Sequence, residues 1–388
     1  MRYMFDWVHY QFPSRVYFER DSTHKIGSFC KDIGARVLLL SIQNELSNPD
    51  ELAVIKTSLE KYTTGAILYD DILEMPDAED LDTAAYFARQ CQADLILAYG
   101  SRETFQAAKT IALLTRNDVF AADLQSSTLP LKKPPLPVIT VPAVPGMGEE
   151  SSPLFTVNNT EARTSFYSSD YRLYPAMIFV DPNITAPLSA PELARAGIAT
   201  LSANVESILS KRANEITTSI SLRSIELITR NLVHLINEPG NHAARMNVCM
   251  ASVLCGMAHS NSMLGLSFSI ATATHNLTGL NFFTAMGILL PHIMEYNLTT
   301  SAGKYVQIAR ALDEDIKDIT VIEAAIKAVE GVRKIFMELK VPQRLSEFEI
   351  DKASLPDIAE QAFMIPYARN TPRELDRNEI ETILIAAY

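Results

Sequence analysis

The chain has 388 residues, 47% of them hydrophobic and 21% charged, with a formal net charge of −12. That length favours two domains, and that composition is typical of a globular protein with sizeable cores. The acidic balance excludes nucleic acid and anionic membrane as main partners, since both need a basic footprint that the lone pair Lys132-Lys133 does not supply.

In chain order, the N-terminus begins Met1-Arg2-Tyr3-Met4-Phe5-Asp6-Trp7, and Asp6 interrupts any apolar run, so no signal peptide is expected. Residues 36–41 (RVLLLS), 66–69 and 94–98 (DLILA) are short apolar runs of the kind that form buried parallel strands. Helical patterns lie between them, over 82–92 and 104–114. Strand and helix alternating at this spacing predict a doubly wound, mostly parallel sheet. Prolines 130, 134, 135, 137, 142 and 145 then force an extended or turning tract. Residues 152–157 read as a polar stretch, and MIFVDP at 177–182 as a last strand.

After Pro182 the texture changes. Ser189-x-x-Glu192 is a capping box that opens a helix, and the pattern from there to Tyr388 is helical throughout. The expected organisation is an α/β domain over residues 1–185 followed by an all-α domain over 186–388. The apolar stretch 263–294 carries His275, Asn276, Asn281 and His292, which predicts buried core helices rather than a membrane span. Both histidines are expected to be satisfied core residues. The cysteines (Cys30, Cys91, Cys249 and Cys255) have no metal-ligand spacing and read as buried, reduced thiols in a cytoplasmic chain. The sequons at Asn158, Asn183, Asn276 and Asn297 are then chance occurrences. No Gly-x-Ser-x-Gly, Gly-x-x-x-x-Gly-Lys or His-Glu-x-x-His motif occurs.

Four constellations carry more information. The first is Phe18-Glu19-Arg20-Asp21-Ser22. The second is Tyr99-Gly100-Ser101 ahead of a helix bearing Glu103 and Lys109, a turn able to present backbone N–H groups to a phosphate. The third runs from Val141-Pro142 through Gly146-Met147-Gly148 to Glu149-Glu150. The fourth spans Gly197 to Glu206 and, further on, Leu264-Gly265 to Leu289-Leu290-Pro291-His292.

Taken together, in order and spacing, these segments resemble the iron-containing (group III) alcohol dehydrogenases over nearly the whole chain. Further matches lie at Tyr174-Pro175, Asp181-Pro182 and Asn370-Thr371-Pro372-Arg373. The resemblance implies the dehydroquinate-synthase-like fold of that family, an NAD(P) cofactor and a catalytic metal. Its Pro-Thr-Thr-Ala-Gly-Thr-Gly-Ser-Glu loop matches at Pro142, Gly146, Gly148 and Glu150. Its Gly-Gly-Gly-Ser turn matches only at Gly100 and Ser101, with Lys109 answering to its lysine. Gly100, Ser101, Lys109, Gly146 and Gly148 are therefore the cofactor-binding candidates, as vestiges. Tyr99 takes the place of a glycine, and Glu19 and Asp21 replace both glycines of the N-terminal phosphate turn. Carboxylates facing a pyrophosphate are repulsive by on the order of 4 kcal/mol at roughly 4 Å. Arg20 and Arg102 are the cations available to offset them.

The resemblance also implies where four metal ligands belong. The family's Gly-x-Asp-Ala-Leu-x-His-x-x-Glu helix matches at Gly197, Leu201 and Glu206, which puts Ala199 and Ala203 at the Asp and His. The later segments put Phe268 and Phe282 at the remaining histidines and Thr272 at a neighbouring one. None of the four side chains can bind iron or zinc. The expectation is a pseudoenzyme without catalytic residues and without iron or zinc, in which the two phenyl rings meet and fill the vacated space. No cofactor is expected, with NAD(P) left open by the resemblance. Expected partners are further copies of the chain, as a homo-oligomer, or a related dehydrogenase paralogue. The alternative is an NAD(P)-dependent oxidoreductase for a small alcohol or aldehyde with an altered or metal-free site.

Overall fold

The computed structural model describes residues 9–42, 49–125 and 131–388. The N-terminal segment around Asp6 and Pro130 lie outside the described residues.

Among the described residues, eight strands and thirteen α-helices follow one another in two blocks. The strands β1 (Arg15–Phe18), β2 (Arg36–Leu40), β3 (Gly65–Tyr69), β4 (Leu95–Gly100), β5 (Val138–Pro142) and β8 (Met177–Val180) form one parallel sheet in the order β1-β8-β5-β4-β2-β3. Apolar residues on successive positions of β2 and β4 point to opposite faces, so both faces need cover. Leu38, Leu40, Ile96 and Ala98 pack under α3 (Ala78–Gln90) and α4 (Arg102–Arg116). Val37, Leu39, Leu95, Leu97 and Tyr99 pack under α1 (Ile26–Cys30) and α2 (Pro49–Tyr62). The expected doubly wound parallel sheet is thus present, and β5 is the extended end of the proline tract.

Two features differ from expectation. Residues 152–157 are not merely polar: β6 (Leu154–Asn159) pairs antiparallel with β7 (Thr164–Ser169) in a separate hairpin. Residues 154–157 are all buried, because the strand is covered on both faces: Leu154 joins the core of the C-terminal helices, and Phe155 and Val157 that of α3 and α4. The segment at residue 18 is also the end of a strand, β1, which pairs in register with β8.

From Ala190 the chain is helical: α5 (Ala190–Leu209), α6 (Glu215–Asn237), α7 (His242–Ser262), α8 (Leu266–Thr278), α9 (Phe282–Asn297), α10 (Ala302–Ala311), α11 (Val321–Glu338), α12 (Leu355–Met364) and α13 (Arg377–Ala387). The Ser189 capping box opens α5, with the Glu192 carboxylate accepting from the Ser189 N–H at 2.8 Å. One face of α5 (Ile198, Leu201, Val205) joins the core of α6, α7, α10 and α11, and Ala199 and Ala203 join that of α8, α9, α12 and α13. The stretch 263–294 forms α8 and most of α9, and no helix among the described residues is long and apolar enough to cross a membrane. Cys30, Cys249 and Cys255 are buried free thiols, whereas Cys91 is only half-buried. The histidines of this stretch are half-buried rather than core. The His275 Nδ1 lies 2.8 Å from the Leu280 carbonyl and its Nε2 3.0 Å from the Met75 sulfur.

Candidate functional site

The four positions assigned to metal ligands converge. Ala199 and Ala203 stand one turn apart on α5, Phe268 lies in the first turn of α8, and Phe282 begins α9. All four are buried in one apolar cluster. The two phenyl rings meet edge to face, 5.5 Å between centroids at 75°, as expected. Phe268 also meets Tyr167 at 4.9 Å and Tyr367 at 5.5 Å, so one ring touches three others. Beyond the backbone these four side chains hold only carbon, and a divalent ion needs lone pairs. Thr272, at the family's neighbouring histidine, is buried with a hydroxyl that has no hydrogen-bond partner. Among the described residues, no group of three or more His, Cys, Asp or Glu side chains is arranged to hold a metal. The residues present do not fit the ion.

The backbone around the site is tightly held. Glu206, buried on α5, accepts from the N–H groups of Gly265 at 3.2 Å, of Ser267, and of Phe268 at 3.2 Å. These are backbone donors at the start of α8, so a carboxylate from another helix caps it and holds the backbone at Phe268. Burial pushes the Glu206 carboxyl up to about 7, with those N–H groups pulling the other way.

A cation fills the space in front of the rings. Arg102 opens α4, and its guanidinium carbon stands 4.3 Å from the centre of the Phe282 ring. The same group reaches Glu103 at 2.8 Å and Glu149 at 3.2 Å, and donates to the Tyr167 hydroxyl at 3.3 Å. Arg102 therefore turns into the interior and does not offset a carboxylate at the N-terminal turn. The cavity left beside it, lined by Glu103, Gln106, Tyr167 and His275, measures about 30 Å³, which is room for a water molecule or two.

The cofactor candidates are placed as follows. Gly100 ends β4, and its carbonyl accepts from the Ala143 N–H at 2.8 Å. The Ser101 hydroxyl donates to Glu103 at 2.7 Å, so the start of α4 already faces a carboxylate of its own chain. Lys109 is fully buried and donates to the Glu149 carbonyl at 2.6 Å. Burial lowers the Lys109 amine to about 7 against the opposing pull of Glu149 and Glu150.

Gly146 and Gly148 lie in a buried loop between the two blocks. The Gly146 N–H donates to the Ser252 hydroxyl at 2.9 Å, and its carbonyl accepts from the Thr200 hydroxyl. Gly148 has φ 89° and touches Gly256 of α7, where an added Cβ would come within 2.2 Å of the Gly256 nitrogen. Gly148 thus serves backbone-to-backbone packing here, whereas Gly146 is held by two side-chain hydroxyls and lies against the Phe283 ring.

The carboxylates of the phosphate turns are arranged differently from the expected acidic wall. Glu19 pairs with Lys25 at 2.8 Å at the surface, and Glu103 pairs with Arg102. Asp21 adopts the left-handed conformation (φ 56°) where the family has glycine, and accepts from the Asn183 amide at 2.7 Å. Tyr99 is buried beneath α2, so its ring does not stand over the start of α4.

Sequence reasoning gave one of three participants, Glu150, only as a match to the family's loop and missed the other two. The Glu150 carboxylate accepts from the Ser252 hydroxyl at 2.7 Å, and burial pushes its carboxyl up to about 7. The His259 ring lies 2.9 Å from the Met147 carbonyl and is lowered by burial to about 4. Glu51, described below, is the third. The signal available for His259 was its helical spacing from Ser252 and Gly256, which puts all three on the face of α7 that meets the loop.

Comparison with known proteins yields a consistent set of matches. Residues 13–182 match the family model described as iron-containing alcohol dehydrogenase, and residues 193–388 match the Fe-containing alcohol dehydrogenase family, C-terminal. The 1,3-propanediol dehydrogenase of Klebsiella pneumoniae is 29% identical over 391 residues, covering 99% of each chain. The lactaldehyde reductase of Escherichia coli K12 is 23% identical, over 96% of this chain and 97% of that one. Among solved structures, a 1,3-propanediol oxidoreductase superposes with a TM-score of 0.94 at 25% identity, over 98% of this chain and all of the other. A sulfoacetaldehyde reductase from Bifidobacterium kashiwanohense, in complex with NAD+, gives 0.86 at 19% identity over 98% of each chain.

Proposed function

The chain belongs to the iron-containing alcohol dehydrogenase family, and we propose that it is a non-catalytic member, a structural or regulatory subunit that works without a bound metal. The observation that carries this reading is the contact between Arg102 and Phe282. A fixed organic cation lies against a carbon-only ligand set and fills the cleft in which an alcohol or aldehyde would react. Hydride transfer at a carbonyl requires its oxygen to be polarised. The site residues offer no donor set for an ion that would do so, and Arg102 stands against the ring at one of the ligand positions. Dinucleotide binding is accordingly weak or absent, and the partner is another copy of this chain or a related dehydrogenase.

A second reading keeps the chemistry: an oxidoreductase for a small alcohol or aldehyde with an altered or metal-free site. It is favoured by the full-length match to relatives named as dehydrogenases and reductases. Calorimetric titration with NADH and NADPH, together with elemental analysis, separates the two. The non-catalytic reading expects no saturable heat below millimolar concentrations and no stoichiometric iron or zinc. A micromolar dissociation constant for either dinucleotide overturns it in favour of the enzyme.

A further inference from the structure

A second polar cluster lies at the carboxyl end of the parallel sheet. Leu40 at the end of β2 is paired with Ala98 on β4, so Ser41 and Tyr99 come next on adjacent strands. The two-residue alternation puts their side chains on the face of Leu39 and Leu97, beneath α2. Asp181 follows β8 on the same face as Phe179. Ser22 and Thr23, in the turn after β1, and Glu51, in the first turn of α2, cover them.

Hydrogen bonds hold both carboxylates of the cluster. The Thr23 hydroxyl donates to the Glu51 carboxylate. One oxygen of Asp181 accepts from the Asn183 N–H at 3.0 Å. Burial raises the Asp181 carboxyl, and the negative charges of Glu51 and Asp21 raise it further. Glu51 likewise adds to the upward shift that burial gives the Tyr99 hydroxyl, which places that carboxylate close to both.

Four oxygens of this cluster, Ser22 Oγ, Ser41 Oγ, Tyr99 Oη and Asp181 Oδ2, are buried and have no hydrogen-bond partner in the protein. Their residues are no more than 2% exposed. Leaving a buried donor or acceptor unmade costs roughly 1–3 kcal/mol, and more for a charged group. The fold therefore keeps three unpartnered hydroxyls beside two carboxylates, one of which has an unpartnered oxygen of its own, and the charges acting on Asp181 are both negative.

We propose that this cluster is a site for a hydrated divalent cation, Mg²⁺ or Ca²⁺, with Asp181 and Glu51 as the charged ligands and Tyr99, Ser22 and Ser41 as neutral oxygens. The ligand chemistry is oxygen only, as hard cations prefer, and two carboxylates with neutral oxygens and waters suit a weak site rather than a structural one. The bound ion ties the first turn of α2 to the ends of β2, β4 and β8. This proposal does not depend on whether the cleft is catalytic.

The test uses the full chain after treatment with a chelator, in the absence of any dinucleotide, so that its result is independent of the reading of the cleft. MgCl₂ and CaCl₂ are titrated separately by calorimetry and by thermal unfolding, with KCl of matched ionic strength as control. Saturable one-site binding is expected, with a dissociation constant on the order of 10⁻⁴ to 10⁻³ M, and a rise in Tm for the preferred cation. Asp181→Asn and Glu51→Gln should each weaken binding at least about tenfold. Without cation, Asp181→Asn should unfold no earlier than the parent, because it removes an uncompensated buried charge; that keeps a loss of binding distinct from a loss of fold. No saturable binding of either ion at about 10 mM, an equal response to KCl, or unchanged binding in both variants would overturn the site and leave the oxygens to ordered water.

Discussion

Arg102 and Phe282 lie 180 positions apart in the chain, yet the guanidinium carbon of one stands 4.3 Å from the ring centre of the other. Glu149 and Glu103 hold the charge in place from the other side. Removing Arg102 therefore removes more than one contact: it strands Glu149, which is 1% exposed, without its cation. Arg102→Met should destabilise the protein by about 3–5 kcal/mol, as expected when one partner of a buried ion pair is deleted. Arg102→Lys should recover only part of this, because an ammonium cannot serve three partners with a planar fork. Denaturant unfolding of both variants gives the comparison.

Restoring the family's ligands should not restore turnover. Ala199→Asp, Ala203→His, Phe268→His and Phe282→His together supply four donors, but the Arg102 cation still sits at their side. Phe268 loses contact with three aromatic rings in the process. Each truncated phenylalanine costs up to about 3–5 kcal/mol, less what the histidine refills. The quadruple variant should be less stable, bind zinc modestly in elemental analysis, and reduce no NAD with ethanol or propanediol. Ready turnover would mean that the cofactor surface is intact.

Stability should pass through a minimum near neutral pH. Glu150 and Glu206 have folded pKa values of about 7, above the ordinary 4.5. Between those limits the folded state holds more protons than the unfolded one, so stability falls as pH rises from 4.5 to 7. His259, lowered to about 4, opposes this up to its ordinary value of 6.5. Lys109, lowered from 10.5 to about 7, makes stability rise again above pH 7. Each net proton contributes about 1.4 kcal/mol per pH unit. Glu206→Gln should flatten the acid limb in chemical unfolding followed from pH 4.5 to 7; an unchanged slope would refute the assignment.

The contact between Gly148 and Gly256 should be intolerant of any side chain. A Cβ on Gly148 meets the Gly256 nitrogen at 2.2 Å, one on Gly256 meets the Gly148 carbonyl oxygen at 2.0 Å, and neither obstacle is a flexible side-chain end. Gly148 also needs φ 89°, which alanine resists. Gly148→Ala and Gly256→Ala should each lower stability by about 3 kcal/mol or more, and the double variant should not recover it. Thermal unfolding of the three variants, or their failure to accumulate as folded protein, is the readout.

Much of the architecture could be read from residue order because it rests on local signals. Continuous apolar runs become β2, β3, β4 and β8, and the serine-to-glutamate spacing at 189–192 becomes the cap of α5. The meeting of Phe268 and Phe282 followed from register within adjacent helices. What escaped depends on partners far away in the chain. Arg102 is the first residue of its helix, and nothing local says whether it turns toward solvent or toward Glu149, 47 residues on. The same holds for Glu51, whose neighbours Tyr99 and Asp181 arrive from two later strands. The β6–β7 hairpin was missed because the buried apolar residues of β6, Leu154, Phe155 and Val157, stand within a polar frame.

The packing of Phe268 bears on what mutation could later do to this chain. Its ring supports Tyr167, Phe282 and Tyr367 at once, so any single step back toward a ligand set first opens a hole and unsettles neighbours, while supplying one donor where a metal needs three or four. Intermediates along such a route carry the cost of every change and none of its benefit. On the non-catalytic reading proposed above, the aromatic cluster acts as a ratchet: what it contributes to packing is what a return to a ligand set has to give up first.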